Sequence, residues 1–271
     1  MEKGCHTTTL LQSNNMRQKN KKLKILFLDI LTDDTERRKE IEEKIYGGGT
    51  YAETMRNALG LGKNQFFAYD ASRGKLPNPR DYSAIISGGS VKDPVSGQEK
   101  PWMRRVYKFI RQAQKDKIPF LGICGGLQFA VRALGGEVIY NPRGRNFGNS
   151  ITQLANNGKA DLLFEGLPGK FVVKSSHRCI AKELKPGWKL LAFSKKSPFD
   201  AIAIGDNIRL TQFHPEMSVK QIKALAKMRK EILITEGFVT EKEFPNFMKS
   251  IKDTKKTGRK ILKNFLAYFV K

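Results

Sequence analysis

Cys124, His214 and Glu216 have the types and the spacing for nucleophilic catalysis. Cys124 ends a short apolar run, Phe120-Leu121-Gly122-Ile123. Gly125 and Gly126 follow at once, and a helix-forming stretch continues from Leu127 to Leu134. This order reads as the strand, tight turn and helix of a nucleophile elbow. Such a turn holds its central residue in a sparsely populated backbone conformation, and it needs small residues where strand and helix crowd together. Gly122 and Gly126 stand two residues on either side. A thiol placed there lies at a helix N-terminus, where the macrodipole favours the thiolate. The amide of Gly125 is placed to donate to a developing oxyanion.

The partner is Gln212-Phe213-His214-Pro215-Glu216, about 90 residues downstream. In an extended segment, residues i and i+2 point the same way. His214 and Glu216 are therefore expected side by side at the end of a strand, with the carboxylate fixing the imidazole tautomer. Cysteine, histidine and an orienting carboxylate satisfy the logic of a triad.

Gly-Ile-Cys-Gly-Gly-Leu-Gln and Gln-Phe-His-Pro-Glu together resemble the class I (triad) glutamine amidotransferases, in particular the GMP-synthase-amidotransferase-like group, here as a stand-alone chain. The resemblance runs from roughly Lys24 to Glu216 and more weakly beyond. It implies that Cys124 attacks the side-chain amide of glutamine, or of another γ-glutamyl compound, and that His214 shuttles the proton. It implies Gly89 as the second oxyanion amide beside Gly125. It also implies that Gln128 and the backbone of Ser176 and His177 hold the amino-acid end of the substrate. Two departures bear on the substrate. Ser90 stands where the family usually has proline, and Arg178-Cys179 replaces the Gly-Asp of a Ser-His-Gly-Asp stretch.

The elements that must position these groups alternate in type. Lys24 to Ile30 reads as a first strand, and Thr32 or Asp33 caps a helix to about Tyr46. Thr50-Tyr51-Ala52-Glu53 is a capping box that opens a helix closed by Gly60 and Gly62. Strands follow at Gln65–Tyr69 and Tyr82–Ser87, the latter ending in the glycine pair Gly88-Gly89. The loop Val91–Pro101 is expected to fold over the site. Trp102–Lys117 is an amphipathic helix with Trp102, Val106, Phe109, Ile110 and Ala113 on one face. Glu137–Tyr140 begins another strand of the same sheet.

After Ser150 the spacing changes to short strands at Ile151–Ala155, Phe171–Ser175, Trp188–Phe193, Ala201–Ile204 and Ile208–Phe213. Ser176 and His177 then fall between two of them. Three helices close the sequence: Ser218 to about Glu236, Thr240–Ile251 and Lys255–Val270. The fold expected is therefore α/β: a doubly wound, mostly parallel central sheet, flavodoxin-like as in class I glutamine amidotransferases, with extra short strands and a C-terminal helical extension. Residues 1–22 read as a flexible basic tail. Residues 23–216 read as the amidotransferase-like domain, and 217–271 as a helical extension packed on it.

Composition narrows the alternatives. Three cysteines among 271 residues, Cys5, Cys124 and Cys179, argue against a disulfide framework and for a reducing, cytoplasmic setting. No run is long and apolar enough to suggest a membrane span. No Cys-x-x-Cys or His-Glu-x-x-His spacing occurs, so no metal is expected, and no cofactor. The sequence contains no Gly-x-x-x-x-Gly-Lys-Ser/Thr and no Ser-Gly-Gly-x-Asp-Ser run, so a separate ammonia-accepting synthetase subunit is the partner the resemblance suggests. Two other readings stand beside glutamine hydrolysis. One is a γ-glutamyl hydrolase acting on a γ-glutamyl amine or peptide with the same triad. The other is a binding or regulatory protein that uses its basic surface.

The net charge of +24 is spread along the chain and enriched at both ends. With no recognition motif beside it, the reading favoured over nucleic-acid binding is a solvated basic surface. Retention on duplex DNA is expected to be weak and to vanish near physiological salt, as sequence-independent phosphate contacts do. A salt titration of DNA binding checks this, and tight binding at physiological salt would restore the nucleic-acid reading.

Overall fold

The computed structural model describes residues 23–95, 97 and 99–270, so the expected tail over 1–22, with Cys5, lies outside the described residues. Every residue of Ile25–Asp29 (β1) is buried, as in a sheet covered on both faces. Helix α1 (Thr35–Lys44) is capped by Asp34, whose side chain accepts from the Arg37 amide, one residue later than the sequence suggests. Helix α2 (Tyr51–Leu59) opens on the reciprocal Thr50–Glu53 capping box and closes on Gly60 in the left-handed region. Strand β2 (Phe66–Asp70), strand β3 (Ala84–Ser87), helix α3 (Pro101–Lys115), strand β4 (Phe120–Ile123) and helix α4 (Gly125–Ala133) follow.

The second half contains β5 (Val138–Tyr140), β6 (Asn146–Leu154), the short α5 (Asn156–Lys159), β7 (Lys170–His177), β8 (Cys179–Ala181), β9 (Trp188–Ser194), β10 (Ala201–Ile204) and β11 (Ile208–Thr211). Helices α6 (Val219–Met228), α7 (Lys230–Thr235), α8 (Phe244–Ser250) and α9 (Lys255–Phe269) complete the described chain.

The central sheet has nine strands in the order β2-β1-β3-β4-β11-β10-β9-β6-β7. It is parallel from β2 to β11 and antiparallel from there to β7. Alternate residues of β1 feed opposite faces. Ile25 and Phe27 join a core with α1, α2, α6 and α9, while Leu26 and Leu28 join a core with α3 and α4. Each such fully buried side chain stabilises the fold by about 1.5–3 kcal/mol. This is the doubly wound arrangement expected, and the five apolar positions expected on α3 are all buried.

Four local readings need correction. The strand at β5 is not part of the central sheet. Both edges of β4 are taken, by β3 and β11, so β5 pairs antiparallel with β8 in a separate two-stranded sheet. Ser176 and His177 lie within β7 rather than between strands, paired with Phe147 and Asn146. The expected helix over 218–236 is broken at Arg229 into α6 and α7. Finally, Thr240 starts no helix: Thr240 and Glu243 bond one another across a turn, and α8 begins at Phe244, with Pro245 in its first turn.

Helix α9 rests on the segment that carries His214 and Glu216. Its Ile261, Leu262 and Phe265 are fully buried, and Asn264 donates to the carbonyls of Leu163 and Glu165 at 3.0 and 2.9 Å. Gly258 meets the chain so closely that an added Cβ would lie 2.0 Å from the Pro215 carbonyl oxygen. Glycine to alanine in an open helix stabilises by up to ~1 kcal/mol. Here backbone faces backbone, and Gly258→Ala is expected to destabilise by about 1–3 kcal/mol. Urea unfolding decides between the two signs, and a stabilised variant would mean that α9 does not bear on this loop.

Candidate active site

Cys124 sits between β4 and α4 with φ 52° and ψ −99°. Lys117 and Cys124 are the non-glycine residues with positive φ among those described. Such a conformation costs about 1–3 kcal/mol and persists only where the surroundings impose it. They do so by close backbone contact. A Cβ on Gly122 would lie 2.8 Å from the Gly126 backbone, and one on Gly126 would lie 2.4 Å from the Ser87 carbonyl. The Cys124 amide donates to Thr211 at 2.7 Å, which ties the nucleophile to β11 and to the histidine segment that follows it. The side chain is buried, and Sγ lies 3.8 Å from the Ser176 carbonyl oxygen.

The His214–Glu216 pair forms, but not by strand alternation. Strand β11 stops at Thr211, and residues 212–216 bend away. The Thr211 hydroxyl donates to the Phe213 carbonyl at 3.1 Å, and the His214 amide donates to Lys174 of β7 at 2.8 Å. With the segment held so, His214 Nδ1 donates to Glu216 Oε1 at 2.8 Å. Burial works against the imidazolium, but Glu216 and Cys124 outweigh it, and the pKa of His214 is pushed up to about 10. His214 also shares a side-chain hydrogen bond with Cys124. The arrangement is a buried imidazolium flanked by a carboxylate and a sulfur, able to deliver a proton to a leaving group.

Tyr51, the first residue of α2, completes this network without any sequence signal. Its hydroxyl donates to Glu216 Oε1 at 2.7 Å and accepts from the Gly89 amide at 2.8 Å. Burial, and then Glu216, push the phenol well above its ordinary value, so it remains a donor. The Gly89 amide is thus engaged by Tyr51 in this structure, whereas the Gly125 amide has no acceptor among the described residues. Of the two amides expected at the oxyanion position, one is free and one is occupied.

Cys124, Gln128, Ser176 and His177 line one cavity of about 520 Å³. His177 Nδ1 and Gln128 Nε2 both donate to the Cys179 carbonyl, at 3.1 and 3.0 Å. Burial lowers the His177 pKa to about 3, so its ring is neutral, and Nε2 has no partner among the described residues. Of the departures in sequence, Ser90 lines the cavity, while Arg178 and Cys179 have separate fates. Arg178 binds Asp93 of the loop after β3, so residues 91–93 border the cavity as expected of a covering loop. Cys179 is buried, and burial followed by Asp93 raises its thiol far above the usual range. Three more cavity residues gave no signal: Arg145, Arg229 and Lys92. No group of three or more potential metal ligands occurs among the described residues.

A family profile described as glutamine amidotransferase class-I matches residues 63–227. The chain is 34% identical over 188 residues to a GMP synthase (glutamine-hydrolyzing) of Thermosipho africanus, a match that covers 66% of this chain and 34% of the relative. It is 26% identical over 164 residues to a glutamine amidotransferase-like protein of Schizosaccharomyces pombe, covering 56% and 63%. The chain thus spans about a third of the length of the GMP synthases it matches. Among solved structures, a glutamine amidotransferase from Thermotoga maritima superposes with a TM-score of 0.69 at 19% identity, over 93% of this chain and 100% of that one.

Two outcomes follow from the geometry. Glutamine-like electrophiles are expected to alkylate Cys124 well before Cys179, whose thiol resists ionisation. Peptide mass mapping reads this directly, and preferential labelling of Cys179 would undo the choice of nucleophile. The raised His214 pKa means that the imidazolium, and the stability it contributes, is present below about pH 6.5 and is lost only as pH rises through about 10. Glu216→Gln removes a cause of that shift, so the alkaline limb of the Cys124 pH–rate profile is expected to move down. An unmoved limb would contradict the assignment of Glu216.

Proposed function

The chain belongs to the class-I glutamine amidotransferase family, and from that membership we propose that it hydrolyses the side-chain amide of glutamine, or of a γ-glutamyl compound, through a thioester on Cys124. The observation that carries the reading is the strained cysteine at the N-terminus of α4 together with the buried His214–Glu216 pair beside it.

In this reading the Cys124 sulfur attacks the amide carbonyl carbon. A C–S bond forms and the carbonyl oxygen takes the negative charge. The Gly125 amide donates to that oxygen, a contribution of roughly 3–4 kcal/mol in comparable sites. The tetrahedral intermediate collapses, the C–N bond breaks, and the imidazolium of His214 gives its proton to the departing ammonia or amine. His214, now neutral, takes a proton from water as the water attacks the thioester. The products are glutamate and the free thiolate, with His214 charged again. Glu216 does not exchange protons; it keeps Nδ1–H in place so that the other ring nitrogen faces the sulfur. Gln128, Ser176 and His177 border the cavity where the amino-acid end of the substrate would lie.

The contact between Tyr51 and Gly89 gives this site a resting state. The second oxyanion donor is held by a phenol until the loop after β3 turns it inward. A separate synthetase subunit, as partner and ammonia acceptor, would supply the trigger. The reading draws support from relatives described as GMP synthases and from a fold neighbour described as PurLQS of Thermotoga maritima. The second reading, a γ-glutamyl hydrolase that needs no acceptor, is favoured by Ser90 and Arg178, the two departures that line the cavity. Buried free thiols at Cys124 and Cys179 fit a reducing, cytoplasmic compartment. Among the described residues no helix is long and apolar enough to cross a membrane.

A screen of glutamine against γ-glutamyl amides and peptides separates these readings. Product release is expected to fall by roughly 10⁴–10⁶ in Cys124→Ala, and release unaffected by that change would end the proposal. Tyr51→Phe frees the Gly89 amide and is expected to raise kcat for glutamine several-fold at unchanged KM. A fall in kcat would show instead that the phenol is needed to hold Glu216.

A further inference from the structure

Arg229 stands at the break between α6 and α7, outside the residues matched by the family profile. It borders the cavity that contains Cys124, and its Nη1 donates to the Ser176 hydroxyl at 3.0 Å. The carbonyl of the same Ser176 is the group 3.8 Å from Cys124 Sγ. One residue therefore separates this guanidinium from the nucleophile.

The other cations of the cavity have counter-ions. Arg145 binds Glu236 through two N–H···O bonds of 2.6 and 2.7 Å. Arg178 binds Asp93, Arg37 binds Glu40, and Lys92 approaches Asp33 at 3.7 Å. Among the described residues no carboxylate forms an ion pair with Arg229. A partly buried guanidinium without a counter-ion is costly, and a second one nearby adds to the cost. Burial, and then Arg145, pull its affinity for a proton down to about 10. The residue is nonetheless held in place. The Arg145–Glu236 pair fastens the end of α7 to the start of β6, and Ser176 fixes the guanidinium itself. The site is organised around a positive charge that Asp93 and Glu236 influence from a distance but that no carboxylate of the described residues contacts.

We propose that Arg229 is a specificity residue that binds a carboxylate of the substrate while the substrate's amide carbonyl lies at Cys124. The inference rests on the amidase reading above and names the charge its substrate must carry. A γ-glutamyl group carries its α-carboxylate a short aliphatic chain from the reacting carbonyl, and Ser176 alone stands between Cys124 and Arg229. A carboxylate on the departing amine, as in a γ-glutamyl peptide, offers the same chemistry from the other side.

Arg229→Gln and Arg229→Lys test this in two arms. The first needs no turnover. Iodoacetate and iodoacetamide alkylate the same sulfur, but only the former is an anion. The ratio of their rates at Cys124 is expected to fall about tenfold in Arg229→Gln and to be largely retained in Arg229→Lys. An unchanged rate with neutral iodoacetamide shows that the variant site is folded. Equal ratios in native protein and Arg229→Gln overturn the proposal, whether or not any amide is hydrolysed. The second arm compares kcat/KM for glutamine with its α-amide, and for γ-glutamylglycine with γ-glutamylmethylamide. Loss of the first preference in Arg229→Gln assigns the α-carboxylate, and loss confined to the second assigns a carboxylate on the departing amine. Retention of both preferences overturns the proposal. A charge-dependent alkylation ratio in a protein that hydrolyses none of the four compounds would refute the amidase reading while leaving the anion site in place.

Discussion

A cysteine held at positive φ needs close contact on every side, and the site depends on that contact at the β4–α4 junction. Gly122, Gly126 and the Ser87 carbonyl approach so closely that none of the three has room for another atom. The contact sets where α4 begins, and so where its unbonded first amides point. It also fixes β3 against α4, because the Gly126 amide donates to Gly88 at 2.9 Å. The glycine pair after β3 is therefore set beside the nucleophile by the same packing that strains it. The fold spends about 1–3 kcal/mol at one residue and recovers it from a sheet buried on both faces.

Charge is the second constraint, because the groups involved are out of water. Glu216 is nearly inaccessible, and one of its oxygens serves both His214 and Tyr51. A carboxylate in that position would be costly alone; with an imidazolium beside it and a phenol donating to it, it is stabilised. The same reasoning makes His177 neutral a short distance away, where burial is not matched by any anion. Two buried histidines, one in each of two cavities that Cys124 borders, thus carry opposite charge states, decided by whether a carboxylate stands next to them. Arg145, Arg178 and Arg229 line the cavity that holds His177, together with the acidic Asp93 and Glu231.

Much of this was legible in the sequence, because local rules governed it. Cys124 is flanked by glycines that only close packing requires, β1 and β4 are apolar throughout, and Thr50–Glu53 reads as a cap from four letters. His214 and Glu216 were found through an argument about strands that the chain does not obey: the bend after Thr211 brings them together instead. What stayed hidden depends on tertiary contact. Tyr51 sits 165 positions from Glu216, and nothing in the first turn of α2 marks a phenol aimed at a carboxylate. Arg229 reads as one more cation in a lysine-rich helix, and it emerges only because the helix breaks there. Strand β5 was misplaced because the occupancy of both β4 edges is a property of the assembled sheet.

The contact between Gly258 and Pro215 has a bearing on how the protein is made. Helix α9 is translated well after the loop it covers, and the carbonyl of Pro215 lies directly against it. On the ribosome, the residues from Cys124 to Glu216 emerge before the helix that covers their loop. The nascent chain therefore carries its nucleophile and its base for some time without the helix that packs against the Pro215 carbonyl. The loop bearing His214 thus has one face open until α9 arrives, and what holds it first is the backbone bond from His214 to Lys174 of β7.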